Sequence, residues 1–122
     1  MEEKLKQMPK AKLRVLVVWE PILLTDWGRP GSAALARISD PRVVQFWDRH
    51  HLVAQELRKR LLASPARISS WDRHLSSKIL WDDVAVYPPK VAWSNSVSPA
   101  FFDGPVYAVA EKVKKNLLDL TQ

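Results

Sequence analysis

A chain of 122 residues, 47% hydrophobic and 26% charged, has the make-up of one ordinary folded domain rather than a disordered segment. It contains no cysteine, which excludes thiol–disulfide exchange, disulfide bonds and thiolate metal sites within it. Its net charge of +6 suits weak contact with polyanions, but the basic residues are not interleaved with aromatics as in a nucleic-acid-binding signature.

Residues 1–12 alternate in charge and read as a charged, frayed N-terminal extension to a single domain spanning 13–122. They lack the apolar core of a signal peptide, which favours the cytoplasm. No run of about 18 apolar residues occurs, so no membrane span is expected. Leu13 to Trp19 is almost continuously apolar and rich in valine, the pattern of a strand covered on both faces. Pro21 limits its ladder. Gly28, Pro30 and Gly31 mark a turn, and Ser32 is placed to cap a short helix over 33–38.

Asp40-Pro41 has the form of a helix start, a capping carboxylate followed by proline in the first turn. Val43, Phe46, Trp47, Val53, Ala54, Leu57 and Leu61 follow at helical spacing, predicting one amphipathic helix from Pro41 to about Leu62. Ser64-Pro65 ends it. The serine-rich stretch 64–78 reads mainly as a loop. The string WDRH occurs at 47–50 and 71–74 without similarity around it, as chance would produce.

Ile79 to Tyr87 predicts a strand, and Val91 to Trp93 a short return strand after Pro88-Pro89. Asp103-Gly104 is a turn dipeptide. For the end of the chain we expect a strand to about Val109 and a helix from Ala110 to Leu120, although Val106, Val109, Val113 and Leu117 also fit helical spacing.

The order of strand, loop, helix, hairpin and terminal helix resembles the thioredoxin-like architecture, with Trp19-Glu20-Pro21 at the position of its active-site approach. The strings VVWEPILLTDWGRP, ARISDPRVVQFWD and ILWDDVAVYPP are similar to those of a poorly characterised group of bacterial thioredoxin-like proteins without the CxxC redox motif. The resemblance covers roughly residues 13 to 110. It implies a single α/β domain with a mixed sheet of about four strands and packed helices, and it implies no activity. The chain lacks both thioredoxin cysteines, and no proline immediately precedes Ile79.

The candidate binding residues are Trp19, Glu20, Pro21, Thr25, Asp26 and Trp27, because the end of an apolar strand in an α/β protein is where a site belongs. Trp19 reads mainly as packing on the sheet, and Trp27 fits core and groove equally. Glu20 and Asp26 are the loop's carboxylates; the ordinary role of Asp26 is to cap a turn, and that of Glu20 is solvation or a pair with Arg29. His50, His51 and His74 lack the i, i+4 spacing of a helical zinc site and read as boundary or core residues. Asp72, Asp82 and Asp83 match no calcium loop and read as solvated. These readings predict a redox-inactive binding module for a peptide or protein, with no cofactor, no metal and no assigned catalytic residue. The alternatives are a small hydrolase or metal-dependent enzyme using the loop carboxylates, for which a histidine must lie within hydrogen-bond reach of one of them, and a weak electrostatic nucleic-acid binder. Oligomeric state is left open.

Overall fold

The computed structural model describes residues 1–21, 28–92 and 98–121. Thr25, Asp26 and Trp27 of the candidate loop lie outside the described residues, as does Trp93 of the expected return strand. The protein is a mixed α/β chain with five α-helices and two separate two-stranded sheets among the described residues. It divides into two compact units, residues 1–53 and 54–122. No helix is long and apolar enough to cross a membrane.

In the first unit, the charged start is helical rather than frayed. Helix α1 (Glu2–Lys6) has acidic residues in its first turn and lysines in its last, as the helix dipole favours. Leu5 and Met8 are buried. The helix is held from outside by the turn at 39–42. The Glu2 carboxylate accepts from Ser39 N at 3.2 Å and from Ser39 Oγ at 3.1 Å. In return, Arg42 donates to the carbonyls of Leu5 (2.9 Å), Met8 (2.7 Å) and Ala11 (3.2 Å). Leu5 belongs to the last turn of α1 and Met8 and Ala11 to the chain just after it, so one guanidinium ties the helix end to the segment that follows.

The apolar run folds into strand β1 (Val15–Trp19). The chain then passes the short helix α2 (Ser32–Leu35), where Gly31 rather than Ser32 holds the N-cap position. The largest departure from the sequence reading follows. Residues 43–47 are not helical but form strand β2 (Val43–Trp47), parallel to β1 and in register from Val15↔Val43 to Trp19↔Trp47. Val-Val-Gln-Phe-Trp is a β-branched and aromatic run, and its burial alternates residue by residue, a period of two rather than 3.6. Asp40-Pro41 turns the chain into that strand instead of starting a helix. The Asp40 carboxylate accepts from Arg42 N at 2.9 Å, a bond two residues on that favours a turn. Helix α3 (Leu52–Leu62) starts only after a second turn.

The start of α3 is capped by Asp48, which is 8% exposed. Its two carboxylate oxygens accept from Leu52 N (2.9 Å) and Val53 N (2.8 Å). Two of the helix's open N–H groups are thereby satisfied by one buried carboxylate at the positive end of the dipole.

The second unit is built around Leu61, Trp71, Leu75, Leu80 and Phe102. Trp71 and Leu75 come from the serine-rich stretch expected as a loop, which forms a 3₁₀ turn (Ser69–Trp71) leading into helix α4 (Asp72–Leu75). The two apolar residues, four apart, are what that polar segment contributes to the core. Trp71 meets Phe102 edge to face, with centroids 5.7 Å apart. Arg58 donates to the carbonyls of Leu75 (2.8 Å) and Ser77 (2.8 Å), so it serves the end of α4 rather than of its own helix.

The expected strand at 79–87 is only three residues long, β3 (Val84–Val86). Its described antiparallel partner is β4 (Phe101–Asp103), paired from Val84↔Asp103 to Val86↔Phe101, and Val91 and Ala92 of the expected return are not in a strand. Helix α5 (Val106–Thr121) then takes in 106–109, where a strand was expected. Pro105 O accepts from Ala108 N and Val109 N, so the proline opens the helix, and Val109 and Val113 are buried on one helical face.

Candidate functional site at the ends of β1 and β2

The parallel register brings Trp19 and Trp47 side by side where the two strands end. Residues two apart in a strand share a face, so Val17, Trp19, Gln45 and Trp47 lie on the same side of the sheet. There the Trp19 indole N–H donates to Gln45 Oε1 at 2.9 Å. The other end of that amide donates to Leu35 O (3.0 Å) and Ile38 O (3.4 Å) at the close of α2. Gln45 is therefore fully engaged, and it fixes both the ring of Trp19 and the end of α2.

Beside this arrangement lies a pocket of 340 Å³ lined by Trp19, Arg29, Pro30, Leu35, Gln45, Phe46 and Trp47. Its apolar side chains are the rings of Trp19 and Trp47 with Pro30 and Leu35, its polar ones the Gln45 amide, Arg29 and the indole N–H groups, while the Phe46 side chain alternates to the other face of the sheet. The volume is at the small end of the roughly 300–1,000 Å³ typical of ligand sites. Of the residues anticipated here, Trp19 lines the pocket and is half-buried, between the core and groove positions considered for it.

Glu20 and Pro21 follow at the end of β1. Glu20 Oε2 is 2.9 Å from His51 Nδ1, in a partly sheltered pair. His51 is thus within reach of a loop carboxylate, as the hydrolase alternative requires. It has a backbone φ of 58°, the left-handed region that histidine enters more readily than most side chains. The ion pair described for Glu20 is with His51, and Arg29 has none among the described residues. His50 is exposed in the turn before α3, not on a helical apolar face.

Gln45, Phe46, Trp47 and Arg29 were absent from the sequence-derived site. The signal that finds the three β2 residues, though not Arg29, is the likeness of Val-Leu-Val-Val-Trp-Glu at 15–20 to Val-Val-Gln-Phe-Trp-Asp at 43–48. Each is a short β-branched run closing on tryptophan and an acid.

A second polar cluster lies in the other unit. His74 Nδ1 is 2.7 Å from Asp83 Oδ1, and His74 Nε2 is 3.0 Å from Asp103 Oδ1. Arg73 also pairs with Asp103. Asp83 is buried rather than solvated, and its Oδ1, though close to the imidazole, meets no donor in good hydrogen-bond geometry. Burial pushes the Asp83 carboxyl up, against the attraction of His74. Burial acts upward on Asp103 too, but the Gly104 N–H, Arg73 and His74 together hold it below the usual range. These groups are directed at one another and join α4 to the ends of β3 and β4, an arrangement that accounts for them structurally. No group of three or more histidines and carboxylates among the described residues is arranged to hold a metal ion.

Compared with known proteins, the chain matches no family model, no curated protein and no solved structure.

Proposed function

We propose that this chain is a redox-inactive, thioredoxin-like binding module whose strand-end pocket receives an apolar or aromatic side chain of a peptide or protein partner. The observation that carries this reading is the pocket of Trp19, Trp47 and Leu35 at the carboxyl ends of two parallel strands, where open α/β sheets place their ligands. The thioredoxin-like part rests on element order and sense: parallel β1 and β2 joined through α2, then α3, antiparallel β3 and β4, and a closing α5. A four-stranded sheet belongs to this proposal as well. Tryptophan walls suit a partner's side chain because they give a large contact area at little loss of side-chain freedom.

The test is selection from a displayed random-peptide library by wild type and Trp47→Ala, both checked for folding by circular dichroism. The reading predicts enriched peptides that share an aromatic or large aliphatic anchor and lose affinity for the variant. Peptides that bind both proteins equally would place recognition elsewhere.

One observation favours a second reading, an acid–base enzyme: the Glu20–His51 pair at 2.9 Å. A carboxylate on Nδ1 fixes the imidazole tautomer and leaves Nε2 to accept a proton. It predicts hydrolysis of activated esters that falls at least about tenfold in His51→Gln. Equal rates for the two proteins would remove it.

A further inference from the structure

We infer that the group received by the strand-end pocket carries an anion beside its apolar part, so that the partner presents a carboxylate next to an aromatic or large aliphatic side chain. This rests on the binding-module reading and narrows its ligand class. Three observations carry it.

The first is the disposition of polar groups in the pocket wall. The Gln45 amide is engaged at both ends, by Trp19 and by the carbonyls of Leu35 and Ile38. The Trp19 indole N–H is engaged by Gln45. The polar side chains of the lining left to meet a ligand are both donors: the Trp47 indole, and Arg29, the one charged residue of the lining, exposed and without an ion pair among the described residues.

The second is that the carboxylates described in this unit near the strand ends are already committed. Glu20 faces His51 and Asp48 accepts from the first N–H groups of α3, while Asp40, beyond the opposite end of β2, faces Arg42. None of these contacts is with Arg29.

The third is chemistry. A planar guanidinium at the edge of aromatic walls matches a carboxylate in geometry and charge, while the rings accept the adjoining apolar group. The net charge of +6 draws such a ligand in from solution.

The experiment is titration of the full chain with two probes that differ only in charge, N-acetylphenylalanine and N-acetylphenylalaninamide. Binding is followed by NMR chemical shifts in wild type, Arg29→Gln and Trp47→Ala. The inference predicts that wild type binds the carboxylate about fivefold more tightly than the amide, the size of an exposed ion pair. Arg29→Gln should remove that preference and keep amide binding, and about 0.5 M salt should reduce it. Trp47→Ala should weaken both probes. Equal affinity of wild type for the two probes overturns the anionic ligand while leaving the pocket as a binding site. Failure of wild type to bind either probe overturns the pocket reading itself.

Discussion

Arg42 shows how much one side chain organises. It meets Asp40 through Nε at 2.9 Å and Nη2 at 2.6 Å, and reaches three carbonyls at the end of α1 and just after it. The side-chain bonds from Arg42, and then its backbone N–H, bring the Asp40 carboxyl from near 3.8 down to about 2. A carboxyl lowered on folding contributes stability above its unfolded value that is lost as pH falls through the folded value. Wild type should therefore exceed Asp40→Asn in urea midpoint at pH 5, and the two should converge as pH falls from about 4 to about 2. A gap unchanged at pH 2 would show that the charge is not the source. Gly104 is the other decisive residue. A Cβ there would lie 2.5 Å from Asp83 Oδ1 and 2.6 Å from Asp82 O. Gly104→Ala should cost about 1–3 kcal/mol in urea unfolding by overpacking. A cost near zero would mean that the Asp82-Asp83 turn yields freely.

At the scale of elements, the sequence was legible where a pattern had one meaning. Val15–Trp19 is a strand on any reading, and Ser64-Pro65 stops α3. It misled where two periods coincided. Val43, Phe46 and Trp47 fit a helical stripe, yet Val43, Gln45 and Trp47 also share a strand face, and pairing with β1 decided the outcome. The same ambiguity ran the other way at 106–109, where β-branched valines suggested a strand but Pro105 opened a helix. The repeated WDRH illustrates the limit of short strings. Asp48 caps α3, whereas Asp72 pairs with Arg67 in the lead-in to α4. Asp48→Ala should destabilise the protein by about 1–2 kcal/mol through loss of the α3 cap, read as a lower urea midpoint. Asp72→Ala, at an exposed pair, should change it by less than about 0.5 kcal/mol. Equal effects of the two would deny the cap its role.

On the scale of the whole molecule, two units share the work: one carries the strand-end pocket and the other a hydrophobic cluster closed by Trp71 and Phe102. The general place of the site could be read from the end of the first strand, because that strand was recognisable alone. Half of its wall could not, because Gln45, Phe46 and Trp47 reach it only through a parallel pairing that joins residues 28 positions apart. Arg29 was noticed as a partner for Glu20, but His51 meets Glu20, and Arg29 lines the pocket instead. The central claim is that this pocket binds an apolar group. Its most direct test is a ¹⁵N–¹H NMR map of the full chain titrated with N-acetylphenylalanine. The account predicts saturable shifts centred on Trp19, Phe46 and Trp47, including the indole N–H signals, and their loss in Trp47→Ala. Shifts centred in residues 54–122, or none in wild type, would contradict it.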